Sequence, residues 1–222
     1  MTYYRVAEIF TSINGEGKKA GQLSVFIRLQ GCNLRCSYCD TRWANGADCA
    51  YSLMTAEEIT DTVRVSGISN VTLTGGEPLS HENIRGLLEH LAAQPALSVE
   101  IETNGSIPLA PFADLTNRPS FTMDYKLPGS GMEQAMYLPN FDVLGRHDTV
   151  KFVVSDRNDL LQAKEIISRY DLNGRTHVYL SPVFGKIGPE EIVNFMKKYR
   201  MNGVTLQLQL HKIIWDPQAR GV

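Results

Sequence analysis

The sequence has no apolar run approaching the ~20 residues that span a bilayer, so it offers no candidate membrane helix. It has no surplus of one charge either. Its 22 basic and 24 acidic residues give a formal net charge of -2 without the basic stripe that tracks phosphates, and nucleic acid is not an expected partner. The opening Met1-Thr2-Tyr3-Tyr4-Arg5 lacks the basic-then-apolar order of a secretory leader, and a cytoplasmic location is expected. Cysteine is scarce: Cys32, Cys36 and Cys39 lie within eight residues and Cys49 follows closely, too crowded to staple distant parts of a fold. Metal or redox chemistry is the better reading of such a group in a cytosolic chain. No internal repeat or low-complexity segment interrupts the 222 residues, which suffice to bury a core; one domain over 1–222 is expected.

What the sequence does have is a βα rhythm. Short β-branched runs near 23–30, 70–74, 97–103, 121–125, 149–154, 176–181 and 204–210 alternate with helix-period segments. The helix after Thr55 carries a capping box, Thr55-x-x-Glu58. One apolar face recurs at Ile84, Leu87, Leu88 and Leu91, another at Leu160, Ala163, Ile167 and Tyr170, and a third at Ile192, Val193, Met196 and Tyr199. Helices should cover parallel strands. A complete eight-unit barrel takes about 250 residues, so the class expected is α/β with a partial, open TIM-like barrel. Residues 105–119, with Pro108, Pro111 and Pro119, read as an irregular connection.

The run Gly31-Cys32-Asn33-Leu34-Arg35-Cys36-Ser37-Tyr38-Cys39-Asp40 follows directly on an apolar strand, where barrel active sites are built. Three thiolates at this spacing can hold three irons of a cubane [4Fe–4S] cluster and leave the fourth open. A zinc site completed by Cys49 or a histidine, and a ferredoxin-like electron carrier, are the alternatives the spacing leaves. Downstream, Val71-Thr72-Leu73-Thr74-Gly75-Gly76-Glu77-Pro78 ends a strand in paired glycines and a carboxylate. Glycine lets backbone carbonyls approach a ligand, and Glu77 suits an ammonium. Glu102-Thr103-Asn104-Gly105 and Asp124-Tyr125-Lys126 end two more strands on the same rim.

Cys32, Cys36, Tyr38 and Cys39 together resemble the signature of the radical S-adenosylmethionine (SAM) superfamily. The resemblance implies that the open iron binds SAM and that one electron from the cluster releases a 5′-deoxyadenosyl radical. It also implies a SAM site at Tyr38, Gly76, Glu77, Asn104, Asp124, Tyr125 and Lys126. Where the superfamily's narrower branch described next often has Ser-Pro-Lys, this chain has Asp124-Tyr125-Lys126.

Glu8 to Gly17, Phe26 to Cys32, Cys39-Asp40-Thr41 and the ending Gln209-Leu210-His211-Lys212 through Val222 are similar to the 7-carboxy-7-deazaguanine synthase family. Asn14 departs from it, since Gln is commoner before Gly-Glu-Gly. The resemblance spans essentially the whole chain. It implies ring contraction of 6-carboxy-5,6,7,8-tetrahydropterin to 7-carboxy-7-deazaguanine with loss of ammonia, a lyase step of queuosine-type 7-deazapurine biosynthesis assisted by Mg²⁺. Substrate contacts are implied at Ile13, Asn14, Gly15, Glu16, Arg28, Thr74, His211 and the carboxylate of Val222, and Mg²⁺ binding at Thr41. A cluster loop at 31–50, a tail at 211–222 that closes the site, a homodimer and an electron donor such as flavodoxin or ferredoxin complete the expectation, with Cys49 a spectator. Two rivals share the cysteine loop: an activase that takes hydrogen from a partner enzyme's glycine, and a non-catalytic metal-binding module.

Overall fold

In the computed structural model, which describes residues 2–46 and 48–222, the strands join one nine-stranded sheet. They are β1 Tyr4–Ile13, β2 Leu23–Leu29, β3 Ser52–Met54, β4 Asn70–Gly75, β5 Ser98–Thr103, β6 Ser120–Tyr125, β7 Thr149–Val154, β8 His177–Pro182 and β9 Val204–Leu206. The helices are α1 Arg42–Asn45, α2 Ala56–Ser66, α3 Ile84–Ala92, α4 Asn140–Val143, α5 Arg157–Arg169, α6 Leu172–Arg175, α7 Pro189–Tyr199 and α8 His211–Ile214. None of the described helices is long and apolar enough to cross a membrane.

The sheet order is β3-β1-β2-β4-β5-β6-β7-β8-β9, parallel from β2 onward. The edge strands β3 and β9 do not pair with each other, so the sheet curls into the open α/β barrel that chain length favoured. The parallel reading needs correction at the amino end, where β1 runs antiparallel to both β2 and β3. Neither strand stands out in the sequence: β1 is mostly half-buried with no clean alternation, and β3 is only three residues long. At the other end β9 stops at Leu206 rather than running to 210. There the chain turns inward, with Gln207 bonded to Gly17 and the Leu210 N–H donating to the Gly15 carbonyl.

The local signals explain the helices. Thr55 and Glu58 form the reciprocal capping box, and Gly67 ends α2 in the left-handed region at φ 71°. Leu87, Leu88 and Leu91 of α3, Leu160 and Ala163 of α5 and Ile192 of α7 are fully buried against the outer face of the sheet. Val150, Phe152 and Val154 of β7 enter that same core, so by strand alternation Thr149, Lys151 and Val153 face the barrel interior.

The β1–β2 connection, residues 14–22, stoppers the amino end of the barrel. Lys19 Nζ donates to the backbone and hydroxyl of Ser98 at the start of β5, and Lys18 Nζ donates to the Arg146 carbonyl before β7. Gly17 packs beside Glu100 and Thr122, whose side chains bond each other inside the barrel. The opposite, carboxyl ends of the strands are left to build a site.

Candidate active site

A cavity of about 640 Å³ opens at those carboxyl ends, with Cys32, Cys36, Cys39, Gly75 and Gly76 on its wall. Backbone contacts fix the cysteine loop. Gly31 adopts φ 99°, its N–H donates to the Ala44 carbonyl at 2.9 Å, and its carbonyl accepts from the Glu77 N–H at 3.0 Å. A Cβ on Gly76 would collide with the Gly31 carbonyl, the Asn45 side chain and Cys32 Cβ, which is the physical reason for glycine there. Ser37 ties the loop to the far wall by bonds to the carbonyls of Ser130 and Gly129, at 3.0 and 2.7 Å.

Three observations fit an iron–sulfur cluster. The three thiols are half-exposed in one cavity. N–H donors approach two of them, the Leu34 backbone at 3.4 Å and Asn104 at 3.7 Å from Cys32 Sγ, and Asn45 at 3.6 Å from Cys39 Sγ. Burial pushes the Cys32 and Cys36 thiols up, and a bound metal would draw off their protons. Among the described residues no three His, Cys, Asp or Glu side chains converge as one metal ion would require, whereas a cubane takes thiolates at separate corners. Cys49 is buried elsewhere, its thiol donating to the Ala50 carbonyl.

Beside the cysteines the wall is polar. Tyr38 donates its hydroxyl to the Val153 carbonyl at 3.2 Å, and burial raises its pKa. Lys126 Nζ pairs with Asp124 Oδ2 at 2.9 Å. Asp124 Oδ1 and Asn45 Oδ1, on residues that line the cavity, are buried acceptors with no hydrogen-bond partner among the described residues, which suits a ligand bearing ammonium or hydroxyl donors. Thr41 lines the cavity with its hydroxyl 3.7 Å from Cys39 Sγ.

Glu16 dominates the other end. Its carboxylate accepts from Lys151 Nζ and Ser181 Oγ, both at 2.9 Å, and from Gln209 Nε2 at 3.4 Å. Burial acts to raise its pKa, but Lys151 and Ser181 outweigh that and hold it below the usual carboxylate range. Burial likewise lowers the pKa of His211, keeping the imidazole neutral near pH 7. Arg28 pairs with Glu8 at 2.8 Å, and Thr74 donates to Glu102 at 2.8 Å. The tail from Pro217 to Val222 forms part of the lining, with the Arg220 guanidinium 4.4 Å from the centre of the Trp43 ring.

The cavity thus gathers Ile13, Gly15, Glu16, Arg28, Cys32, Cys36, Tyr38, Cys39, Thr41, Thr74, Gly76, Asn104, Asp124, Lys126, His211 and Val222. Three of the expected residues lie outside its lining. Asn14 sits below it, accepting from Thr72 Oγ1 at 2.8 Å. Glu77 is wholly buried and accepts from the Leu79 and Asn104 N–H groups and from Thr103 Oγ1, so its carboxylate braces the glycine turn. The ring of Tyr125 packs against Phe141 and Phe152 on the outer side of the sheet. Lys151, Ser181 and Trp43 were not anticipated, and Gln209 and Arg220 enter from the expected carboxyl-terminal stretch without having been singled out as site residues. Only Lys151 leaves a trace in the sequence, as a charge in the middle of a six-residue strand buried throughout.

Residues 26–124 match the radical SAM superfamily. The chain is 57% identical to 7-carboxy-7-deazaguanine synthase of Clostridium acetobutylicum over 219 residues, covering 99% of both proteins. It is 37% identical to 7-carboxy-7-deazaguanine synthase of Chlorobaculum tepidum, over 98% of this chain and 96% of that one. Its fold is similar to the crystal structure of QueE from Escherichia coli, with a TM-score of 0.71, 21% identity and coverage of 93% of this chain and 94% of that chain. With its cysteine loop, its open barrel and a close relative matched from end to end, the chain belongs to the 7-carboxy-7-deazaguanine synthase family of radical SAM enzymes.

Proposed function

We propose that this enzyme contracts the ring of 6-carboxy-5,6,7,8-tetrahydropterin to give 7-carboxy-7-deazaguanine with loss of ammonia, and so acts as a carbon–nitrogen lyase in 7-deazapurine biosynthesis. One observation carries the reading: a single cavity has three thiols on one wall and, at the other end, a buried carboxylate, Glu16, paired with Lys151. When bound, the cluster and SAM supply an adenosyl radical that abstracts hydrogen.

The chain's own residues bind, orient and shield. Glu16 accepts from the guanidine-like edge of the pterin, and the backbone of Ile13 to Gly15 fixes the ring edge. Arg28 and His211 offer donors to the carbonyl and carboxylate oxygens. Cys32, Cys36 and Cys39 would hold the cluster, and Gly76, Asn104, Asp124 and Lys126 would bind SAM beside it. The hydroxyl of Thr41, a hard oxygen, would help hold Mg²⁺, which would offset the negative charge of the substrate carboxylate. The tail ending at Val222 covers the ring and keeps water from the reacting centre. We further infer a cytoplasmic homodimer served by a small electron carrier such as flavodoxin or ferredoxin.

The test is anaerobic reconstitution with iron and sulfide, followed by incubation with SAM, reductant, Mg²⁺ and 6-carboxytetrahydropterin. Mass spectrometry should find 7-carboxy-7-deazaguanine with SAM largely unconsumed. Cluster formation with slow SAM cleavage and no such product would overturn the substrate assignment.

A further inference from the structure

One of the buried charges inside the barrel belongs to a residue without an assigned task. Lys151 points inward from the middle of β7, and its side chain is 10% exposed. Its ammonium lies 2.9 Å from Glu16 Oε2 on one side and 3.7 Å from Asp124 Oδ2 on the other. It therefore joins the carboxylate at the far end of the cavity to the acidic group beside the cysteines.

The consequence follows from acceptor chemistry. Glu16 is 9% exposed, and a carboxylate buried without a cation takes up a proton, becoming a donor at one oxygen. The other groups facing it are Ser181 and Gln209, which are neutral, and His211, which burial keeps neutral. Charge on Glu16 thus depends on Lys151. An ionised carboxylate has about four acceptor sites. Lys151 and Ser181 take two at 2.9 Å, and Gln209 is a long third contact at 3.4 Å, which leaves acceptor capacity for a ligand. The second partner, Asp124, keeps the ammonium from swinging with Glu16 when a ligand arrives.

We propose that Lys151 is a positioning residue which holds Glu16 as an aimed, acceptor-only group, so that the site selects a ring edge presenting two adjacent N–H donors, as the 2-amino-4-oxopyrimidine edge of a pterin does. The inference rests on the pterin reading above and adds the residue that sets its selectivity. Lys151 itself touches neither the ring nor the reacting atoms.

The test compares the affinities of two ligands for the full-length, cluster-loaded protein with SAM and Mg²⁺ but no reductant, so that nothing turns over. One ligand is 6-carboxytetrahydropterin and the other is its analogue lacking the 2-amino group, which keeps the carboxylate and loses one donor. The unaltered protein should prefer the pterin by ~10- to 100-fold, as expected for losing a hydrogen bond to a charged acceptor. Lys151→Met should bring the ratio to within about threefold at unchanged iron content. Should Lys151→Met not fold, Lys151→Gln, which keeps a donor without the charge, is read in the same way. A merely structural lysine would weaken both ligands in proportion, and an unchanged ratio would overturn the proposal while leaving the pterin reading standing. If the unaltered protein bound neither ligand, both would fall.

Discussion

The side chain of Gln207 bonds the backbone of Gly17 in both directions: the Gly17 N–H donates to Oε1 at 2.7 Å, and Nε2 donates to the Gly17 carbonyl at 3.0 Å. Gln207 follows β9, one edge of the sheet, and Gly17 lies in the loop after β1, next to the other edge. One amide therefore bridges the gap that strand pairing leaves open. Gln207→Ala would strand two buried backbone groups, each costing about 1–3 kcal/mol. The urea midpoint should fall accordingly, with faster hydrogen exchange at Gly17. An unchanged midpoint would mean that water or a neighbour replaces the amide.

The contact between Arg220 and Trp43 predicts a local effect in place of a global one. A cation over an aromatic ring at an exposed site contributes about 0.5–1 kcal/mol, enough to bias a short tail and too little to alter the fold. In a Trp215→Phe background, Arg220→Ala should shift Trp43 emission and speed removal of Val222 by carboxypeptidase, at a thermal midpoint close to the parent's. Identical emission and digestion would show that the tail is held by other contacts.

Glu77 predicts a pH dependence. Burial pushes its carboxyl up to about 7, outweighing the N–H groups of Asn104 and Leu79 and the hydroxyl of Thr103 that favour the ion. A carboxyl raised in the folded state stabilises it below the unfolded pKa near 4.5, and this contribution is lost as pH rises through about 7. The difference in unfolding free energy between the metal-free parent and Glu77→Gln should thus shrink by about 3 kcal/mol from pH 4.5 to pH 8. A pH-independent difference would place Glu77 at an ordinary carboxylate pKa.

Gly76→Ala tests the seat of the cysteine loop. The added methyl collides with the backbone of Gly31 and with Cys32, so the loop must move off the β4 turn. Iron retained after anaerobic reconstitution should drop well below that of the parent while far-ultraviolet circular dichroism stays the same. Full iron retention would show that the loop accommodates the methyl.

Where the sequence could be read, one local physical cause sufficed. The capping box at Thr55 and Glu58, the apolar faces of α3, α5 and α7, and the spacing of Cys32, Cys36 and Cys39 each lie within a few residues. What stayed hidden depends on distant partners. Lys151 meets Glu16 across 135 residues and Ser181 meets it across 165; the charge inside β7 marks Lys151 as unusual, but no local pattern names the partner of either. Glu77 and Tyr125 illustrate the converse. A rim position in sequence does not say where a side chain falls: Glu77, just past the end of β4, is buried in the wall beneath its own turn, and Tyr125 packs on the outer side of the sheet. β3 escaped notice because three residues acquire strand form only by pairing with β1.

The loop from 14 to 22 that stoppers the amino end of the barrel also governs traffic. A vessel sealed at its base is filled and emptied through its mouth, so a departing product retraces the route its precursor took, past Pro217 to Val222.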